Sequence, residues 1–177
     1  MKTSVGFLAM TEVNGTLYAI LQRRGEWNHE KMAPESWPGA CQVTAHGKIE
    51  LGEEFLPAVK REVAEELGSW FGEIVAGLNW FRAGNPQGGD IDVVTLYEDD
   101  KVRTEGFIID NSYLRGFRLQ PSTGGLKLIT KEEVMGIVDL TSSSYNKEVG
   151  VVTRSIVAMF PDEIKAVKKA FEVFGKK

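Results

Sequence analysis

The segment "FLPAVKREVAEELG", residues 55–68, constrains this chain more than any other stretch. Phe55, Val59, Val63 and Leu67 recur at i, i+4, i+8 and i+12, which on a helix forms one apolar stripe. Pro57 falls in the first turn, where proline is tolerated, and Gly68 stands where a C-cap glycine belongs. Such a stripe needs a surface to cover, so the helix is expected to pack on a sheet. Glu62, Glu65 and Glu66 lie off the stripe at i, i+3 and i+4, which crowds three carboxylates onto a face offered to a cleft. Like charges at that spacing cost about 0.2–0.5 kcal/mol per pair. Either something compensates them or the face is only solvated.

The sheet is expected to begin upstream. "VGFLAM" and "TLYAILQRR" flank "TEVNG", and Asn14-Gly15 between apolar runs predicts a hairpin turn with positive φ. "ACQVTAHGKIE" alternates enough for a strand that runs into a glycine-punctuated turn. Downstream, "WFGEIVAGLNWFRA", "IDVVTLYE", "VRTEGFII" and "YLRGFRL" read as strands, with "GNPQGGD" as a loop. "TKEEVMGIV" reads as a short helix capped by Thr130. "PDEIKAVKKAFEVFGKK" reads as a helix with Pro161 at its start, an apolar face of Ile164, Val167, Phe171 and Phe174, and lysines at its end. Periodicity leaves "VVTRSIVAMF" as helix or strand. The expected class is α+β, a mixed sheet packed between helices as an α/β/α sandwich. With no repeat, low-complexity tract or long linker, residues 1–177 are expected to form a single domain.

Composition narrows the function. A chain of 177 residues with 42% hydrophobic and 26% charged residues can bury a real core. A net charge of −4 argues against a nucleic-acid binder, which needs clustered Lys and Arg to neutralise phosphates. One cysteine and two histidines allow neither a disulfide framework nor a zinc site. "MKTSVGFLAMTEVNG" has too short an apolar run for a signal peptide or membrane span, so a cytoplasmic protein without a membrane partner is expected.

Residues 47–69 resemble the Nudix box, G-x5-E-x7-R-E-U-x-E-E-x-G-U with U aliphatic. Gly47, Glu53, Arg61, Glu62, Val63, Glu65, Glu66 and Gly68 all fall in register, and Ser69 alone departs, standing where an aliphatic residue is expected. The resemblance implies a Nudix fold and a Mg²⁺-dependent hydrolase, with Mn²⁺ as an alternative ion. The bond cut would be the phosphoanhydride of a nucleoside diphosphate linked to another moiety. Glu62, Glu65 and Glu66 would be the catalytic set. Glu65 and Glu66 would hold the metal, Glu62 would be a further ligand or the general base, and the carbonyl of Gly47 or of His46 would complete the metal shell. Arg61 and Glu53 would form a supporting salt bridge. The family also suggests an acidic residue outside the box, for which Glu98, Asp99, Asp100, Glu105, Glu132 and Glu133 are candidates, and it makes a homodimer an open expectation.

The chemistry of the residues agrees with that implication. Mg²⁺ takes hard oxygen ligands and bridges carboxylates to substrate phosphates, and three glutamates on one helical face supply the charge. Two further readings stand beside the hydrolase. One is a noncatalytic nucleotide sensor, which has no need of an intact acidic box. The other resembles the isopentenyl-diphosphate isomerases through "PGACQVTAHGKIELGE", but His46 stands where those enzymes carry their catalytic cysteine. Trp27, Trp37, Trp80 and Phe81 can stack a nucleobase or fill a core. Cys41 reads as a small buried hydrophobe. The loops "GEWNHEKMAPESW" and "AGNPQGGDI" are the expected seat of substrate selection, and Pro86 lies near the spacing at which the similar ADP-ribose-cleaving Nudix enzymes carry a proline.

Overall fold

The computed structural model describes residues 4–76, 92–98, 102–109, 111–142 and 156–175. Strands β1 (Ser4–Val13) and β2 (Thr16–Arg24) form an antiparallel hairpin in which Val13 pairs with Thr16. Asn14 and Gly15 between them have φ of 50° and 77°, the positive values that this two-residue turn requires.

Short strands follow: β3 (Trp27–Asn28), β4 (Ala33–Pro34), β5 (Cys41–Gln42) and β6 (Ala45–Lys48). Helices α1 (Phe55–Leu67) and α2 (Ser69–Ala76) come next, then strands β7 (Asp92–Glu98) and β8 (Val102–Ile109) and a 3-10 turn at Asn111–Gly116. The chain continues through β9 (Thr123–Ile129), a second 3-10 turn at Glu132–Gly136, β10 (Val138–Asp139), β11 (Ala158–Met159) and α3 (Pro161–Phe174). The main sheet runs β5-β2-β1-β8-β7, with β6 also on β1 and β9 also on β2. Because β1 is parallel to β8 and antiparallel to β2 and β6, the sheet is mixed.

Alternation along β1 sends its side chains into two cores. Leu8 and Met10 meet Ala166, Val167, Ala170, Phe171 and Phe174 of α3, while Val5, Phe7 and Ala9 meet Ala58, Val59, Val63 and Leu67 of α1. A strand covered on both faces reads as a nearly continuous apolar run, which "VGFLAM" is. The expected α/β/α layering is therefore present.

Helix α1 buries Ala58, Val59, Val63 and Leu67 and ends at Gly68, whose N–H donates to the Ala64 carbonyl at 3.1 Å. Helix α3 starts with Pro161 in its first turn beside Asp162, an acidic residue that suits the positive end of the dipole. The lysines expected to favour its other end, Lys176 and Lys177, lie outside the described residues.

Three expectations need correction. Residues 70–76 of "WFGEIVAGLNWFRA", read as strand, belong to α2, because Phe71 and Val75 at i, i+4 are buried and the Phe71 ring packs against Phe7 and Phe117 at 6.0 and 4.7 Å; residues 77–83 lie outside the described residues. "YLRGFRL" is not a strand: Tyr113–Gly116 belongs to a 3-10 turn, and the Arg118 N–H donates to the Leu67 carbonyl at 2.8 Å. Thr130 caps no helix, since the following segment is a 3-10 turn, and the Glu133 carboxylate accepts the Thr130 N–H at 2.8 Å instead. In "VVTRSIVAMF" the described end forms strand β11, and residues 151–155 lie outside the described residues. Among the described residues no helix is long and apolar enough to cross a membrane.

Candidate active site

Strand β6 delivers the site's first wall. It pairs antiparallel with β1, setting His46 opposite Gly6 and Gly47 opposite Val5. A tight turn then leads to α1: the Glu53 N–H donates to the Glu50 carbonyl and the Glu50 N–H to the Glu53 carboxylate, both at 3.0 Å.

Arg61 ties this turn to the helix. Its Nε and Nη2 donate to the two carboxylate oxygens of Glu53 at 2.9 and 2.8 Å, a bidentate pair, and Nη2 also donates to the Lys48 carbonyl at 2.8 Å. Nη1 donates to Glu62 Oε1 at 2.7 Å and reaches Glu65 Oε2 at 3.4 Å. One guanidinium therefore joins both ends of the loop and sits against two of the three crowded carboxylates. Hydrogen bonds from Arg61 hold the Glu53 carboxyl down at about 2, and the same bonds raise Arg61 further above its usual range.

The helix places its glutamates in graded environments. Glu66 is buried deepest, and that burial pushes its carboxyl up to about 8 despite the His46 N–H that donates to Oε2 at 3.1 Å; the neighbouring Glu62 charge adds to the rise. Burial also raises Glu62, against the opposing pull of Arg61. Glu65 stands at the rim with its side chain half exposed. Burial lowers the His46 imidazole. A cavity of about 580 Å³ opens over Gly47, Glu62, Glu65 and Glu66, with Gln22 and Arg24 on its other side.

Gly47 is needed by this arrangement. A Cβ built there would coincide with the Glu62 carboxyl, so that carboxyl holds its present place against β6 only over a glycine.

The donor set fits a hard divalent cation. Carboxylates held above their ordinary pKa by burial and by each other mark a site of excess negative charge, which a cation relieves. Among the described residues no three His, Cys, Asp or Glu side chains already converge as ligands, so Glu62 and Glu65 would turn from Arg61 to bind.

Of the residues expected from the sequence, Gly47, Arg61, Glu62, Glu65 and Glu66 meet at one cavity wall, and Glu53 lies off that wall, joined to it through Arg61. Sequence reasoning missed Gln22, Gln42 and Arg24, which line the same cavity from the sheet. Their only signal was their place on strands, and the face that a strand residue occupies depends on register. Glu98 and Glu105 fall on β7 and β8, but their side chains, like Asp99, Asp100, Trp80, Phe81, Pro86 and the loop "AGNPQGGDI", lie outside what is described. Glu133 is engaged with the Thr130 main chain, and neither it nor Glu132 lines the cavity. Trp37 packs edge-on against Phe160 at 5.8 Å, a core role, whereas Trp27 is exposed. Cys41 is buried, and burial pushes its thiol up to about 11.

A family model described as the NUDIX domain matches residues 2–135. A search of curated proteins finds no significant match. Among solved structures, a mutT/nudix family protein from Listeria innocua aligns over 99% of this chain and 93% of its own, at 18% identity and a TM-score of 0.56. A NUDIX hydrolase described as putative, from Listeria monocytogenes, aligns over 98% and 94% at 13% identity and a TM-score of 0.51. The NUDIX domain of Shewanella oneidensis NrtR, solved with ADP ribose, aligns over 97% and 86% at 17% identity and a TM-score of 0.50. At such identities the likeness is one of fold, and the family rests on the matched domain: the chain belongs to the NUDIX family, whose enzymes are hydrolases of acid anhydrides and generally use a divalent metal.

Proposed function

We propose that this protein is a Mg²⁺-dependent hydrolase that cleaves the phosphoanhydride bond of a nucleoside diphosphate linked to another moiety. The observation that carries the reading is the wall formed by Gly47 and the carboxylates of Glu62, Glu65 and Glu66 over one cavity. Glu65 and Glu66 would hold the ion together with a main-chain carbonyl of β6, and Glu62 would be a further ligand or the base that takes the proton from the attacking water. The ion supplies charge neutralisation at phosphoryl oxygens and activation of water. The chain's own residues do the rest. Arg24 stands at the cavity wall as a phosphate partner, and Arg61 fixes the loop and the helix relative to each other.

The whole chain is proposed to act as a single domain. Helix α3 lies beyond the matched span, yet it supplies one side of the core beneath β1 and β2. The test is a hydrolysis screen over nucleotide derivatives with Mg²⁺ and then with EDTA. Metal-dependent cleavage of one compound supports the reading. Tight nucleotide binding with no turnover moves it to a nucleotide sensor.

A further inference from the structure

Strand β2 carries one face from the core into the cavity. Ile20 packs in the core with α1, and alternation places Gln22 and then Arg24 on the same face farther along. Gln22 is 5% exposed and pairs in register with Gln42, whose Nε2 donates to Gln22 Oε1 at 3.2 Å. The Gln22 Nε2 is left buried with no partner in the structure. A buried amide donor left unmade is destabilising, and native proteins leave few of them. Gln22 lines the carboxylate cavity, where a bound ligand can accept a hydrogen bond from that N–H.

A second cavity, of about 570 Å³, adjoins the first and shares Arg24 and Glu35 with it. The carboxylate of Glu35 holds the Arg24 guanidinium at 3.3 Å and the Asn28 amide at 3.1 Å, which braces the wall between the two cavities. Trp27 lines this second cavity, sits opposite Pro34 across the β3–β4 hairpin, and is 41% exposed. Pro38 and Pro121 line it too. An exposed tryptophan alone needs no explanation. A tryptophan in a cavity that opens beside an unspent buried donor and three carboxylates describes a path for an extended ligand.

Resting on the hydrolase reading, we propose that the Trp27 cavity is the nucleobase subsite. The base stacks on the Trp27 indole, and the Gln22 carboxamide donates to the sugar-phosphate segment that runs from there to Glu62, Glu65 and Glu66. Stacking on an aromatic face tolerates any base, so the subsite selects for a nucleoside over a base-free diphosphate more than among bases.

The test is calorimetric binding of ADP and of inorganic pyrophosphate in Mg²⁺ buffer, with thermal melting of each variant as the folding control. Trp27→Ala is expected to weaken ADP about 10-fold or more and pyrophosphate less than about twofold, with Trp27→Phe restoring most of the loss. Gln22→Met, close in volume, is expected to weaken ADP about fivefold. Wild-type ADP affinity in folded Trp27→Ala overturns the proposal, as does a wild type that does not bind ADP. The two readings fail separately. Metal-dependent cleavage of a base-free diphosphate without ADP binding sinks the subsite and leaves the hydrolase, while Trp27-dependent ADP binding without turnover does the reverse.

Discussion

The carboxyl group of Glu62 fills the space in which a side chain on Gly47 would have to lie. The carboxyl is thereby held against the bare Cα of β6, and the smallest change available at that position is a methyl group. Gly47→Ala is expected to push Glu62 aside and cut hydrolysis about 100-fold, the usual effect of displacing a catalytic group by about 1 Å. Because the displaced atoms end a flexible side chain, Tm should move by less than about 3 °C. A variant with full activity would show that the position of Glu62 does not matter.

Arg61 spans the loop and two carboxylates of the helix with one planar group. Lysine cannot reproduce the fork, so Arg61→Lys should behave much like Arg61→Ala. Partial exposure limits the loss to roughly 1–2 kcal/mol, or about 2–8 °C in Tm. Melting both variants decides the matter, and a lysine variant as stable as the wild type would reduce Arg61 to a point charge.

A cation that binds the native cavity and not the unfolded chain must stabilise the fold. Mg²⁺ or Mn²⁺ is expected to raise the Tm of the wild type and to raise that of Glu66→Gln by much less. In turnover the same substitution should cost about 100-fold or more, above the 10–100-fold typical of residues one layer behind a metal. Equal shifts in Tm for both proteins would remove Glu66 from the binding site.

Glu163 gives a pH signature away from the loop. Its burial at the start of α3 pushes the carboxyl up to about 8, against the Val43 N–H that donates to it at 3.0 Å, with Asp162 adding to the rise and Arg24 opposing it. A carboxyl raised in the fold favours the protonated native state, so its stabilising effect is complete below about 4.5 and is lost as pH climbs through 8. Glu66 has the same sign without divalent ions. Melting in EDTA should therefore show Tm falling from pH 5 to pH 8, with Glu62 adding in the same sense, and Glu163→Gln should make that fall shallower. An unchanged slope would mean that Glu163 titrates normally.

What could be read from the chain was local. The α1 stripe, its C-cap glycine and the Asn14-Gly15 turn each depend on neighbours within a few residues, and each is present as expected. The carboxylate wall was legible because one helix face carries all three glutamates. Helix α2 was not, because "SWFGEIVA" is rich in residues that also suit strands, and what decides it is Phe71 meeting Phe7 and Phe117 from distant parts of the chain. Strand β9, with Gly124 and Gly125, carries little strand propensity and exists through its pairing with β2. Gln22 and Arg24 were out of reach for the same reason: which side of the sheet they take is set by partners many residues away.

That dependence makes β2 a gauge of correct assembly. A slip of one residue against β1 would turn Gln22 and Arg24 toward α3 and present Leu21 to the cavity. Misregistered molecules would then lose their ligand donors in the same event that swaps their two cores. A preparation holding some of them would show fewer working molecules at unchanged affinity, a deficit in titrated sites and not a weakening of each one.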